Sequence, residues 1–104
     1  MEILATYQRN MGGVFKLAKV SDDFFMYGTQ IEFDSICGVS VDRCGTRDDV
    51  LSHCLRIANV CSENIKKYKK LKEKDNKIGW DLLIADEQSE MNMLLQFAEV
   101  LRTV

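Results

Sequence analysis

The spacing of the hydrophobic residues changes once along this chain, at about Thr46, and this change constrains the fold more than any other feature. Before it, apolar runs of strand length alternate with turn residues; after it, apolar residues recur at steps of three and four. The first pattern is typical of β-strands and the second of amphipathic helices. We therefore expect an α+β fold, in which an antiparallel β-meander of three to five short strands packs against two C-terminal helices.

The strand half shows apolar runs at 2–8, 14–20, 24–27, 31–33 and 36–41. Residues 9–13 separate the first two runs and end in Gly12 and Gly13, which adopt positive φ at low steric cost. This arrangement predicts a β-hairpin. The turn-like segment 42–46 is expected to end the sheet.

Thr46, followed by Asp48 and Asp49, is typical of a helix N-cap with acids in the first turn. It predicts a long helix over about 47–74. The buried stripe of this helix is predicted to contain Leu51, Cys54, Ala58, Cys61, Ile65 and Tyr68, widened by Leu55, Ile57 and Val60. Residues 75–77 and Gly79 provide the stop signals.

A second helix is predicted over about 82–102. Its expected core positions are Met91, Leu94, Leu95, Ala98 and Leu101. Residues 78–84 fit either a short strand or the start of this helix, and we favour a helix for most of them. Two helices joined by a short loop are expected to pack as an antiparallel pair.

The length of 104 residues is that of one domain, so we predict a single domain over 1–104. No run of apolar residues reaches the length of a transmembrane span, and the first residues lack the pattern of a signal peptide. A cytoplasmic protein without a membrane partner is therefore expected.

The net charge of −2 conceals an uneven distribution. Residues 62–77 contain seven lysines and three acids, whereas residues 78–104 contain five acids and one arginine. Such segregation concerns partners rather than the fold. The predicted basic patch comprises Lys66, Lys67, Lys70 and Lys74, and the predicted acidic face comprises Asp81, Asp86, Glu87 and Glu90.

Four cysteines fall within 25 consecutive residues. Thiolate and imidazole groups are zinc ligands, so one hypothesis is a zinc site formed by Cys37, Cys44, His53 and Cys54. The wide spacing argues against it, because the pairs are unlike the close pairs of structural zinc sites. Packed core thiols, with no cofactor, are the favoured interpretation.

No catalytic constellation is recognisable, so we expect a binding module rather than an enzyme. The favoured hypothesis is a small inhibitor or adaptor, of the kind used by mobile elements, that docks on a nucleic-acid-handling protein. Its acidic face would compete for a basic groove on that protein. The alternatives are a zinc-stabilised module and a weak nucleic-acid binder that uses 66–77. A helix pair or an open sheet edge also offers a surface for a homodimer.

Overall fold

The computed structural model describes residues 1–29, 40–76 and 78–104 and confirms the α+β fold class. Four strands are followed by two helices: β1 (Glu2–Gln8), β2 (Val14–Ser21), β3 (Phe24–Thr29), β4 (Ser40–Gly45), α1 (Arg47–Lys74) and α2 (Ile78–Arg102). The strands form one antiparallel sheet in the order β1-β2-β3-β4, as expected for a meander. The runs predicted at 31–33 and in most of 36–41 lie outside the described residues.

The β1–β2 connection is the predicted hairpin. Gly12 and Gly13 have φ angles of 96° and 87°, and the Arg9 amide donates to the Gly13 carbonyl at 3.1 Å. Glycine is the residue that tolerates these angles without steric cost. The hairpin directs Arg9 toward the helices.

The sheet ends at Gly45, within the predicted segment 42–46, but residues 42–45 are part of β4 rather than a turn. Arg43 and Cys44 pair with Tyr27 and Met26 of β3, so backbone pairing overrides the turn-like composition of this segment.

The start of α1 follows the prediction. Thr46 is the N-cap: its hydroxyl accepts from the Asp49 amide at 3.2 Å, and the Asp49 carboxylate accepts from the Thr46 amide at 3.1 Å. This reciprocal capping box satisfies two amides at the helix start.

The ambiguous segment 78–84 is helical, since α2 begins at Ile78 rather than at about 82. Two contacts with α1 accompany this longer helix. The Trp80 ring lies 5.9 Å from the Tyr68 ring, and Lys72 forms an ion pair with Asp81.

The core lies between the sheet and one half of the helix pair. Its buried residues come from β2, β3, the first half of α1 and the second half of α2: Phe15, Leu17, Phe25, Tyr27, Val50, Cys54, Ala58, Cys61, Met93, Leu94, Phe97, Ala98 and Leu101. Three predicted core positions are instead exposed, namely Leu55, Val60 and Leu95. The sheet covers a single side of the helix pair, so the buried stripe is narrower than the apolar pattern.

The helices are longer than the sheet that covers them. At 1.5 Å per residue α1 is about 42 Å long, whereas strands of six to eight residues span about 20–27 Å. The pair therefore extends beyond the sheet, and the longest dimension of the molecule is 49 Å. We call the extension the helical tip and define it as residues 66–74 of α1 and 78–85 of α2.

Candidate interaction surface

The helical tip carries the predicted basic patch. Lys66, Lys67, Lys70 and Lys74 are all exposed. Helical spacing places them away from α2, whereas Lys72 points toward α2 and pairs with Asp81. Lys66 pairs with Glu63 at 3.4 Å, and both side chains are largely exposed. In the part of the chain that the structure describes, Lys67, Lys70 and Lys74 form no ion pair, so their charge is available to a partner.

Apolar side chains also reach solvent at the tip. Leu82 and Leu83 are 62% and 45% exposed. The aromatic rings of the tip, Tyr68 and Trp80, are half-buried and lie against each other. The tip therefore presents lysines and leucines to solvent rather than aromatic faces.

The four predicted acidic residues do not form one free surface. Asp81 pairs with Lys72. Asp86 accepts from Arg9 Nη2 at 2.8 Å, and Glu90 lies 4.0 Å from the same nitrogen. Arg9 itself is only 12% exposed, which strengthens its attraction to both carboxylates. Much of the acidic charge is thus compensated within the chain.

Arg9 anchors a polar cluster where the β1–β2 hairpin meets α2. Its guanidinium lies 5.4 Å from the centre of the Phe15 ring, in a cation–π arrangement. The backbone amide of the neighbouring Asn10 donates to the hydroxyl of the buried Ser89 at 3.2 Å. These contacts attach the hairpin to the middle of α2. No sequence signal indicated them, because Arg9 is separated from Asp86 by most of the chain.

Cys61, Glu87 and Glu90 extend this cluster toward α1. Their potential ligand atoms lie within 4.8 Å of one another, the one such group among the residues that the structure describes. Burial raises the pKa of Cys61 to about 12, and hydrogen bonding to Glu87 contributes to the increase. Burial also raises the pKa of Glu90, against the opposing effect of Arg9. A metal bound here would have to displace a tightly held thiol proton.

The residues predicted for a zinc site lie in different surroundings. Cys37 is outside the described residues. Cys44 is an exposed thiol on β4, and Cys54 is a fully buried thiol whose pKa burial raises to about 12. His53 Nε2 lies 3.0 Å from the Tyr27 hydroxyl, and Arg56 lies 3.3 Å from Nδ1. Cys44, His53 and Cys54 do not converge as a ligand group within the described ranges.

A cleft of about 300 Å³ opens beside these groups, between the sheet and the helices. Its polar lining consists of Arg9, Tyr27, His53 and Glu90. Arg9 is paired with Glu90, and Tyr27 with His53, so the polar groups of the cleft already bind one another. The raised pKa values of the two buried thiols are the opposite of what a nucleophilic cysteine requires.

Comparison of the chain with protein-family models, with curated proteins and with solved structures finds no match. Neither of the two described helices combines the length and hydrophobicity needed to cross a lipid bilayer.

Proposed function

We propose that this chain is a non-catalytic binding module that docks on an acidic surface of a partner protein through its helical tip. The observation that carries this proposal is the contrast in charge compensation: Lys67, Lys70 and Lys74 have no ion-pair partner among the described residues. Three of the predicted acidic residues are instead paired with Arg9 or Lys72.

Two features of the tip favour a protein over a nucleic acid. Leu82 and Leu83 supply exposed apolar area, which the central part of a protein interface uses for anchoring. Single-stranded nucleic acids, in contrast, stack on exposed aromatic rings, and Tyr68 and Trp80 already lie against each other. The overall pI of about 5.4 also differs from that of typical nucleic-acid-binding domains.

The proposal is tested by charge reversal of the tip. A triple variant, Lys67→Glu, Lys70→Glu and Lys74→Glu, is compared with a charge-preserving control in which the same residues become arginine. Wild type and both variants are used to capture proteins from the source cells, with quantitative mass spectrometry. A specific protein retained by wild type and the arginine control, but lost from the glutamate variant, is the expected result.

The same three proteins are then titrated against single-stranded and duplex oligonucleotides, followed by fluorescence anisotropy at low and high salt. Salt-dependent oligonucleotide binding that the glutamate variant loses would replace the protein partner with a nucleic acid. Protein capture that survives charge reversal would show that the helical tip is not the docking surface. Circular dichroism checks that all three proteins are folded.

A further inference from the structure

The helix pair has a second apolar surface, distinct from the helical tip. A groove of about 300 Å³ runs between α1 and α2, lined by Leu55, Ala58, Asn59, Ser62, Met91 and Leu95. His53 and Ile57, on the same helix, line the cleft next to the sheet. Because Leu55 lies about half a turn from Ile57, the groove opens on the side of the helix pair opposite the sheet.

The groove exposes leucines that the sequence pattern assigns to a core. Leu55 is 37% exposed and Leu95 is 46% exposed, and Met91, one turn before Leu95 on α2, is half-buried. On the α2 side, Gln88 donates to Asn92 at 2.9 Å, and Glu99, one turn beyond Leu95, forms a surface ion pair with Arg102 at 3.3 Å. An exposed apolar strip whose polar neighbours on α2 already bind one another is suited to burial against another protein surface.

The charges along α1 identify the occupant. One side of α1 presents four residues that are spaced seven apart, with an acid at one end and a base at the other: Asp48, Leu55, Ser62 and Lys69. Asp48 is 79% exposed and forms a surface ion pair with its neighbour Arg47 at 3.2 Å, and such exposed pairs contribute little to stability. Lys69 is exposed. The midpoint between Asp48 and Lys69 coincides with the midpoint between Leu55 and Ser62, at the centre of the groove.

We propose that a second copy of this chain occupies the groove, with its α1 antiparallel to the first. A two-fold axis through the groove centre places Leu55 opposite Ser62 of the second copy. It also places Lys69 opposite Asp48 of that copy, about 16 Å from the axis. Each chain thus contributes one residue to each of two symmetric ion pairs, its Asp48 to one and its Lys69 to the other, as an isologous interface requires.

This interface leaves the docking surface accessible. Lys67 and Lys74 of the helical tip lie more than a quarter turn from the line that joins Leu55 to Lys69. The dimer does not depend on the function proposed above. It would present two helical tips, one at each end of a four-helix layer, with a sheet on each outer side.

The experiment is sedimentation velocity of the full chain up to about 1 mM, for wild type and matched variants. Leu95→Glu places a charge in the groove, and Leu82→Glu places the same charge on an exposed leucine outside it. We expect wild type and Leu82→Glu to dimerise, and Leu95→Glu to raise the dissociation constant by about tenfold or more. Thermal unfolding checks that both variants fold.

A charge swap tests the antiparallel geometry. Lys69→Glu alone is expected to weaken the dimer by creating acid–acid contacts with Asp48, and adding Asp48→Lys is expected to restore it. A wild-type chain that stays monomeric at the highest concentration would overturn the proposal. So would a dimer that Leu95→Glu leaves intact, or one that Leu82→Glu dissociates, since the interface would then lie elsewhere.

Discussion

The half of the helix pair that the sheet covers and the helical tip beyond it have similar sequence patterns but different environments. Leu83 and Leu94 are eleven residues apart, about three turns, so they share one side of α2. Leu94 is fully buried, whereas Leu83 is 45% exposed. Two cations that form ion pairs with α2 differ in the same way. The Arg9 side chain is 12% exposed, whereas the Lys72 side chain is 38% exposed. Coverage by the sheet, rather than residue type, separates a core position from a surface position.

The largest expected effect tests apolar burial in the two regions. Phe97→Ala removes a fully buried ring from the covered half and should lower the free energy of unfolding by about 3–5 kcal/mol. Leu83→Ala, in the tip, should cost less than about 1 kcal/mol because its side chain is already partly hydrated. Urea unfolding measures both. Equal losses would mean that the tip is as well covered as the core.

The ion pairs of the two regions differ in their exposure to water. Arg9→Met keeps the packing on Phe15 but leaves Asp86 and Glu90 without their cation, so we expect a loss of about 1–3 kcal/mol in unfolding free energy. Lys72→Met removes the exposed partner of Asp81 and should cost less than about 1 kcal/mol. High salt should reduce the second effect more than the first. A larger loss of unfolding free energy for Lys72→Met than for Arg9→Met would show that the exposed ion pair stabilises the fold more than the shielded one.

Two glycines extend the comparison to the backbone. Gly45 has φ of 150°, and a Cβ there would lie 2.9 Å from the Asp49 carboxylate that caps α1, so Gly45→Ala should destabilise by about 1–2 kcal/mol. Gly79, in the tip, has open space around it within α2, so Gly79→Ala should stabilise by about 0.5–1 kcal/mol. Thermal unfolding gives the sign of each change. A destabilising Gly79→Ala would indicate a close neighbour at this position.

The half-buried carboxylate Glu90 should give a small effect of pH on stability, with a sign opposite to that of most carboxylates. Burial raises its pKa, so above pH 4.5 the unfolded chain releases a proton that the folded chain still holds. The stability that Glu90 contributes is therefore highest below its ordinary pKa and falls as pH rises through the folded-state value. Glu90→Gln cannot titrate, so its stability relative to wild type should increase with pH across this window.

Urea unfolding at several pH values above 4.5 measures this difference. Glu99→Gln is the control, because Glu99 is 72% exposed and pairs with Arg102 at the surface. If the free energy of unfolding of Glu90→Gln depends on pH in the same way as that of wild type, the Glu90 carboxyl is not shielded from water.

Metal removal is expected to have the smallest effect. Burial raises the pKa of Cys54 and of Cys61 to about 12, and a protonated thiol is not a zinc ligand. Chelation should therefore leave the melting temperature unchanged. Native mass spectrometry before and after chelation checks this. One zinc per chain, lost together with the compact charge states, would support the zinc-stabilised alternative and direct attention to Cys61, Glu87 and Glu90.

Local signals in the sequence were sufficient for the elements themselves. The change of hydrophobic period near Thr46, the capping residues and the paired glycines all act over a few residues, and α1 has the predicted bounds. The end of β4 and the start of α2 were less predictable. Both depend on partners elsewhere in the chain, namely β3 for Arg43 and Cys44, and Tyr68 for Trp80.

The sequence by itself determined the fold class, the order of the elements and the segregation of lysines from acids. Only the tertiary structure decided which charges are neutralised and which leucines are buried. Arg9 reaches Asp86 and Glu90 because the hairpin meets α2, a contact between residues distant in sequence. Leu55, Leu83 and Leu95 remain exposed because the sheet covers one side and one half of the helix pair. Burial depends on what lies opposite a residue, and a periodic pattern does not specify that.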